Sequence, residues 1–236
     1  MKSFRFPILA LGIYLLVTTA CNVDTHSQAK TDASQEQTDA KQETIDQEAA
    51  DAHFEAGLAA YQANNLPLAF QEFLAAARKG HADSQYNVGI MYEQGIGVGK
   101  DDAEALVWYS KSAEQGNSEA QFNLGVLYEN GRGTKIDFAK ANEWYRKASV
   151  QGDAMAIGNL GMLYVRGDGV KENKVAGVAI LLVSVTEDPS PENQARKNIA
   201  ATRGLTAEMV EEAQSLSAAL SNAQNLLVPL DAYLKK

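Results

Sequence analysis

The chain has 236 residues, of which 30 are Asp or Glu and 21 are Lys or Arg, and its formal net charge is −9. Nucleic-acid binding needs clustered Lys and Arg, so this acidic balance argues against it. The only cysteine is Cys21, which excludes an intramolecular disulfide.

Residues 1–20 have the layout of an export signal. Lys2 and Arg5 precede an apolar stretch, residues 8–17, and small residues lead up to Cys21. The apolar stretch is too short for a good membrane span. Two interpretations remain open: an ordinary signal peptide followed by a chance cysteine, or a signal whose cysteine is lipidated and becomes the new N-terminus.

The stretch Thr18-Thr19-Ala20-Cys21 resembles the processing box of bacterial lipoproteins. This resemblance implies that Cys21 carries lipid and that the protein sits in the cell envelope, periplasmic or surface-exposed. Asn22 follows the cysteine where an Asp would favour the inner membrane, so the resemblance favours the outer membrane. Contact with the membrane is expected through the lipid anchor only.

Residues 21–48 are predicted to be a lipidated cysteine followed by a polar tether. Acidic residues, Gln, Thr and Ala dominate this segment, and its only larger apolar residues are Val23 and Ile45. Such a composition cannot bury enough apolar surface to offset the entropy of the chain. We therefore expect the tether to be mostly disordered, with a fraying helix leading into residue 49.

A 36-residue period dominates the centre of the chain, where residues 81–116, 117–152 and a degenerate copy at 153–189 align. The columns shared by all three copies are Asn87/Asn123/Asn159, Gly89/Gly125/Gly161, Tyr92/Tyr128/Tyr164, Gly95/Gly131/Gly167 and Gly97/Gly133/Gly169. A period in this range predicts a solenoid of stacked repeats.

Each copy is predicted to form two antiparallel helices. Gly95 can end the first helix in a left-handed conformation, and Asp101 suits the start of the second. A mid-helix glycine such as Gly89 is unfavourable unless a partner helix approaches closely, so we expect such an approach here. The residues expected to face the core from the second helix are Ala105, Trp108, Tyr109, Ser112 and Ala113.

Residues 123–152 contain the motif Asn-Leu-Gly-x-x-Tyr-x-x-Gly-x-Gly, followed by Trp-Tyr and Gln-Gly. This pattern resembles the Sel-one-like repeat (SLR) family, a relative of the tetratricopeptide repeat. The resemblance implies an all-α fold, a right-handed α-solenoid of stacked antiparallel helix pairs. Residues 49–80 resemble a plain tetratricopeptide repeat that lacks the glycine pair.

The end of the chain, residues 190–236, is predicted to form capping helices. One is expected to start at Ser190-Pro191, a second to be capped by Thr206, and a short tail helix to follow Pro229. The terminal elements of a solenoid must cover its last exposed face.

The segment Gly95-Ile-Gly-Val-Gly-Lys100 raises the question of a phosphate-binding loop. Such a loop needs Ser or Thr after the lysine and a strand before the glycines. Asp101 follows the lysine, and the preceding residues read as helix. The glycines are therefore interpreted as structural residues of the turn in each repeat, and no nucleotide and no cofactor is expected.

The SLR resemblance implies that the first helix of each pair lines a concave groove. By family register, the residues predicted to bind a partner there are Phe54, Leu58, Asp83, Tyr86, Ile90, Glu93, Glu119, Phe122, Val126 and Glu129. The same register places Asp51 on this surface. The alternative is that Tyr86 and Phe122 only pack between repeats. The recurring asparagines either clamp a peptide terminus or bond locally, and local bonding is favoured.

No constellation of residues predicts catalysis or a metal site. His26, His53 and His81 are scattered and are expected at the surface or at helix caps, and no thiol or histidine pair has metal-ligand spacing. Some cysteine-rich secreted relatives are linked to activity against β-lactams, but their paired cysteines are absent here. The sequence thus favours a non-enzymatic scaffold that binds a basic or amphipathic protein or peptide. The alternatives are a hydrolase related to those β-lactam-active relatives and a purely structural surface spacer.

Overall fold

Eleven helices and no strand make up residues 44–236, the part of the chain that this computed structural model describes. Helix α1 is described over residues 44–62. The ten that follow are α2 Leu66–Arg78, α3 Ala82–Gln94, α4 Asp102–Glu114, α5 Ser118–Asn130, α6 Phe138–Val150, α7 Ala154–Arg166, α8 Lys174–Glu187, α9 Ala195–Ala201, α10 Ala207–Ser221 and α11 Leu227–Leu234.

The predicted all-α class is confirmed, and the fold is an α-solenoid of antiparallel helix pairs. Residues Gln47–Lys236 form one compact unit. Its A helices are α1, α3, α5 and α7, and its B helices are α2, α4, α6 and α8. Each B helix from α2 to α6 contacts the A helix that opens the next pair. The export signal, Cys21 and the tether up to residue 43 lie outside the described residues.

Polar side chains start nearly every helix of the solenoid. His81 accepts from the backbone N–H of Ser84 at the start of α3, and Asn117 and Asp153 make the same kind of bond in the next two A helices. Asp101 caps α4 as predicted, by accepting from the N–H groups of Ala103 and Glu104. These caps bond donors that the helices cannot bond themselves.

The paired glycines of each turn have two separate tasks. Gly95 ends α3 with φ of 74°, the predicted left-handed conformation. Gly97 also has positive φ, and a Cβ built on it would lie 2.2 Å from the backbone oxygen of Leu66 at the start of α2. Gly97 is therefore required because the turn packs directly on the backbone of the preceding B helix.

The mid-helix glycines Gly89 and Gly125 lie beneath aromatic rings of the B helices, and the predicted close approach of the partner helix is confirmed there. A Cβ on Gly89 would lie 2.6 Å from the ring of Tyr109, and one on Gly125 would lie 2.5 Å from the ring of Tyr145. Tyr109 and Tyr145 are fully buried. The glycines thus let each A helix approach its B helix across the face of a tyrosine.

Buried glutamines on the A helices, Gln85 and Gln121, connect the C-terminal ends of neighbouring B helices. Gln85 donates to the carbonyl of Ala77, and its own side-chain oxygen accepts from Gln115 of the next turn. Gln121 and Gln151 repeat the arrangement one pair further on. Every buried amide of this arrangement is thereby bonded, which fixes how the pairs stack.

The fourth pair packs without an aromatic ring. A Cβ on Gly161 of α7 would lie 2.9 Å from the backbone oxygen of Gly177 in α8, so the two backbones are in close contact. Most of α8 is buried, because α7, α9, α10 and α11 all pack on it. The helices after α8 thus cover the last pair, as predicted for the terminal elements of a solenoid. No helix among the described residues is long and apolar enough to cross a membrane.

Two predicted helix starts in the cap are wrong, while Thr206 caps α10 as expected. Helix α9 begins at Ala195, not at Ser190-Pro191, because Asn193 bonds the carbonyls of Ser184 and Asp188 and accepts from the N–H of Ala195. Helix α11 begins at Leu227, ahead of Pro229. Pro229 is tolerated there because the first N–H groups of a helix have no intrahelical partner.

Candidate binding surface

The predicted groove residues lie on the A helices α1, α3 and α5, and we call the partly exposed surface that they form the A-helix face. Its aromatic members are half-buried. The ring of Tyr86 packs against that of Tyr109 with centroids 5.9 Å apart, and Phe122 packs against Tyr145 at 6.0 Å. Each of these two rings therefore packs on the B helix of its own pair while part of the side chain stays accessible.

The aliphatic members pack between consecutive pairs. Leu58 contacts the cluster that contains Val88, Ile90 contacts the cluster around Leu124, and Val126 contacts the cluster that includes α7. These side chains contribute to stacking of the repeats and form the floor of the face. The aromatic and aliphatic residues thus serve both as packing and as accessible surface.

An acidic row runs along one edge of this face. Its members are Asp51 on α1, Asp83 on α3 and Glu119 on α5, and all three are exposed. Asp83 accepts from the side chain of Asn117 at 3.1 Å, and neither Asp83 nor Glu119 pairs with a Lys or Arg among the described residues. The row therefore presents negative charge to solvent.

The charge of Glu119 contributes to raised pKa values of two neighbouring groups. The pKa of Tyr86 is raised by burial first and by the Glu119 carboxylate second. The pKa of Asp153, the cap of α7, is also raised, mainly by burial and in smaller part by Glu119. A carboxylate opposes the ionisation of nearby acidic groups because like charges repel.

The other two acidic residues predicted for the groove form ion pairs within the protein. Glu93 accepts from Nη1 of Arg132 at 2.6 Å, and Glu129 accepts from Nη2 of Arg166 at 2.9 Å. Glu93 and Glu129 are therefore less available to a partner than the members of the acidic row.

The arginines tie successive pairs together. Arg132 also donates to Asp102 at 2.6 Å, which holds the pKa of that carboxyl below its ordinary value chiefly through this hydrogen bond. Arg166 also pairs with Asp168 at 3.0 Å. The pattern of repeats does not reveal these pairs, because one arginine follows its turn glycine Gly131 and the other precedes Gly167.

The same glutamates bind the buried tyrosines. Tyr109 donates its hydroxyl to Glu93 at 2.6 Å, and Tyr145 donates to Glu129 at 2.7 Å. Burial, followed by the contact with Glu93, raises the pKa of Tyr109 far above its ordinary value, and burial and Glu129 do the same for Tyr145. Both hydroxyls stay protonated and act only as hydrogen-bonding groups.

The recurring asparagines complete this network. Asn159 donates to the hydroxyl of Tyr145 at 3.1 Å, and a hydrogen bond from Asn123 opposes the larger effects of burial and Glu93 on the pKa of Tyr109. The favoured prediction of local bonding is confirmed for these two residues. We call the Glu–Tyr–Asn arrangement of Glu93, Tyr109 and Asn123, and of its counterpart in the next pair, the polar triad.

The glycine-rich turn after α3 differs from a phosphate-binding loop, which needs a strand before the glycines. A helix precedes it, and Nζ of Lys100 lies 3.9 Å from Oδ1 of Asp102. His81 is a helix cap, as expected, and His53 contacts Glu72 at 2.7 Å. Within residues 44–236, no group of three or more His, Cys, Asp or Glu side chains could hold a metal ion.

The spacing of these triads, glycines and caps repeats at the period of a known family. The sequence model of the Sel1 repeat matches residues 82–117, 118–153 and 154–181. Over these three segments, which make up less than half of the chain, the sequence is similar to Sel1 repeats. Sel1 repeat proteins generally act as non-catalytic scaffolds for protein interactions.

The chain is also similar to solved structures. A Sel1 repeat protein from Oxalobacter formigenes is 28% identical, with a TM-score of 0.54 over 72% of this chain and 79% of its own. A protective antigen of uropathogenic Escherichia coli strains, which displays an SLR fold, is 27% identical, with a TM-score of 0.47 over 79% of this chain. This chain spans 48% of the length of that antigen. No curated protein matches the chain.

Proposed function

We propose that this protein is a scaffold of the cell envelope, anchored by lipid at Cys21, that binds a protein or peptide along the A-helix face. The observation that carries the proposal is the acidic row beside the half-exposed rings of Phe54, Tyr86 and Phe122. Aromatic rings with one accessible side can take apolar side chains or stack on Arg. The partner expected from this chemistry is basic or amphipathic.

The polar triads also support the proposal. They hold the A helices at fixed spacing, so the rings and carboxylates above them are organised before a partner arrives. A surface that is already ordered loses less conformational freedom on binding. The scaffold role of Sel1 repeats in general points in the same direction.

Charge reversal on the acidic row tests the proposal. The full chain, as wild type and as Asp83→Lys/Glu119→Lys, would be used to capture partners from envelope extract. Glu114→Lys is the matched control, because Glu114 is exposed on α4. We expect the double variant to lose the captured protein and the control to retain it. Glu93 and Glu129 are unsuitable, since reversal there would break ion pairs and triads.

The association and dissociation rates of the captured partner provide a more specific test. Carboxylates in a row steer a basic partner during association, so reversal should slow association more than it speeds dissociation. Salt should weaken binding, because exposed charges are screened over about 8–10 Å at ordinary ionic strength. Affinity that ignores both salt and Asp83→Lys/Glu119→Lys would exclude this face as the site. A chain that captures nothing would instead be a surface spacer.

Lipid anchoring at Cys21 has its own test. The proposal rests on the signal layout and the lone thiol, which lie outside the described residues. Cys21→Ser should leave the protein either soluble and absent from the detergent phase of a phase-partition assay, or still attached to its signal and therefore larger than the mature protein. A variant of mature size that still enters the detergent phase would contradict lipidation. The outer membrane is proposed as the location because Asn22 follows the cysteine.

A further inference from the structure

The first helix pair lacks the polar triad. At the position of Glu93, four residues after the mid-helix glycine, it has Tyr61. At the positions of Tyr109 and Asn123, which lie 16 and 2 residues before the mid-helix glycine of the next pair, it has Phe73 and Asn87. Gly57 is nevertheless placed like the other mid-helix glycines, since a Cβ on it would lie 2.6 Å from the ring of Phe73. The backbone arrangement of the repeats is thus retained, while the hydroxyl at its centre is missing.

The missing hydroxyl leaves Asn87 without the bond that its counterparts make. Asn159 binds the hydroxyl of Tyr145, but Phe73 offers no such group, and no other described residue forms a hydrogen bond with the Asn87 side chain. A carboxamide has one acceptor oxygen and two N–H donors. Those of Asn87 are all available to a ligand.

A pocket of about 370 Å³ opens at this place, and Asn87 lies on its wall. Its floor is apolar: Phe73 is buried, and Leu58 and Ile90 are partly buried. Tyr61 is 50% exposed. No charged residue lines the pocket. Ligand pockets span about 300–1,000 Å³, so this volume suits one bulky side chain with its peptide group better than a large organic ligand.

The acidic row favours a ligand that carries positive charge. Asp83 lies seven residues before Ile90 on α3, which at 1.5 Å per residue is about 10 Å along the helix axis. An extended peptide covers the same distance in about three residues. Asp51 is the neighbouring member of the row on α1, and its hydrogen-bond and ion-pair contacts are Gln47 and His81.

We propose that this pocket binds one Leu, Phe or Trp side chain of an extended peptide segment, with Asn87 bonded to the adjoining peptide group and a Lys or Arg about three residues away facing the acidic row. A carboxamide suits a peptide group because it can donate to the C=O and accept from the N–H at once. The inference rests on the proposed function and assigns its ligand to the first pair.

The test uses the purified full chain and an array of terminally blocked nine-residue peptides. Each peptide has one Leu, Phe or Trp and one Lys in a Gly-Ser background, with the Lys one to five residues away on either side. We expect retention of peptides that carry both residues, strongest at a spacing of three. Peptides without Lys that bind equally well would overturn the charge component, and no retained peptide would overturn the whole inference.

Two variants locate the binding. Phe73→Tyr restores the hydroxyl that engages Asn87, and Asn87→Leu removes the carboxamide at similar size. Each variant should bind the best-retained peptide about tenfold more weakly than wild type, a typical loss for one good polar contact. Fluorescence anisotropy measures the affinity. Phe70→Tyr is the matched control, because it adds the same hydroxyl on α2 outside the pocket and should bind like wild type. Equal binding by Phe73→Tyr and wild type would exclude the pocket.

The envelope capture separates this inference from the proposed function. A partner that is lost from Asp83→Lys/Glu119→Lys but kept by Phe73→Tyr and Asn87→Leu would leave the function standing and exclude the pocket. Loss from all of these variants, with retention by Phe70→Tyr, supports both. A partner kept by all of them contradicts both.

Discussion

The second and third helix pairs and the fourth pair solve the same packing problem in two ways. In α3–α4 and α5–α6 a glycine lies under a buried tyrosine, whose hydroxyl enters the polar triad. In α7–α8 the tyrosine is replaced by Leu181, and Gly161 meets the backbone of Gly177 directly. Close packing of two helices can therefore be achieved by a ring with a polar network or by bare backbone contact.

The two solutions leave different surfaces for partners. The aromatic pairs keep a half-exposed ring on each A helix, Tyr86 and Phe122, whereas the equivalent position of α7 is Gly158. The acidic row also ends there, since Met155 follows Glu119 in the register and is 64% exposed. The pairs with rings are the ones that carry the proposed binding chemistry, and the fourth pair mainly joins the solenoid to its cap.

The largest effect is expected from filling the glycine contacts. Gly161→Leu places a side chain against backbone atoms that cannot turn away, and should destabilise by about 3 kcal/mol or more. Gly125→Leu meets the ring of Tyr145, which can shift slightly, and should destabilise by about 2–3 kcal/mol. Thermal unfolding followed by circular dichroism gives the midpoints.

Gly99→Leu is the control for both glycine variants. Gly99 has no positive φ and nothing within 4 Å of a built Cβ, so the change should stay within about 0.5 kcal/mol of wild type. An equal loss in all three variants would mean that leucine itself, and not the helix contact, is responsible. A smaller loss for Gly161→Leu than for Gly125→Leu would reverse the comparison.

A smaller effect should follow from removing one triad hydroxyl. Tyr145→Phe leaves Glu129 and Asn159 without this partner and should destabilise by about 1–3 kcal/mol at pH 7. Because the pKa of Tyr145 is raised in the folded state from its ordinary 10.0, its contribution is complete below pH 10 and is lost as pH rises above it. Urea midpoints between pH 7 and 11 measure this.

Wild type should therefore lose stability more steeply than Tyr145→Phe above pH 10. Tyr61→Phe is the control, because Tyr61 is half exposed and donates no hydrogen bond in the described structure. It should match wild type across the range. Parallel curves for wild type and Tyr145→Phe would show that the triad hydroxyl does not couple to folding.

The smallest effect is expected at Lys100. Its exposed pair with Asp102 is worth about 0–1 kcal/mol, so Lys100→Ala should be nearly neutral. No ATP binding is expected in either form, and equilibrium dialysis with labelled ATP measures it. ATP bound by wild type and lost in Lys100→Ala would overturn the structural interpretation of the glycine turn.

The sequence was most informative where a residue acts through its own backbone. Left-handed Gly95, the cap Asp101 and the glycine under Tyr109 all follow from local chemistry and spacing. The pairs formed by Arg132 and Arg166 could not be predicted, because their glutamates lie 39 and 37 residues away and the arginines occupy different columns. The start of α9 was missed since Asn193 caps it only after folding back onto the end of α8.

Site-specific photo-crosslinking tests the A-helix face most directly. A photoreactive residue at Gln94 would sit exposed on α3 at the edge of this face, and one at Val107 would sit exposed on α4, a B helix. Crosslinking in intact cells should attach one specific protein to Gln94 and none to Val107. A specific adduct at Val107, with none at Gln94, would contradict binding along the A-helix face.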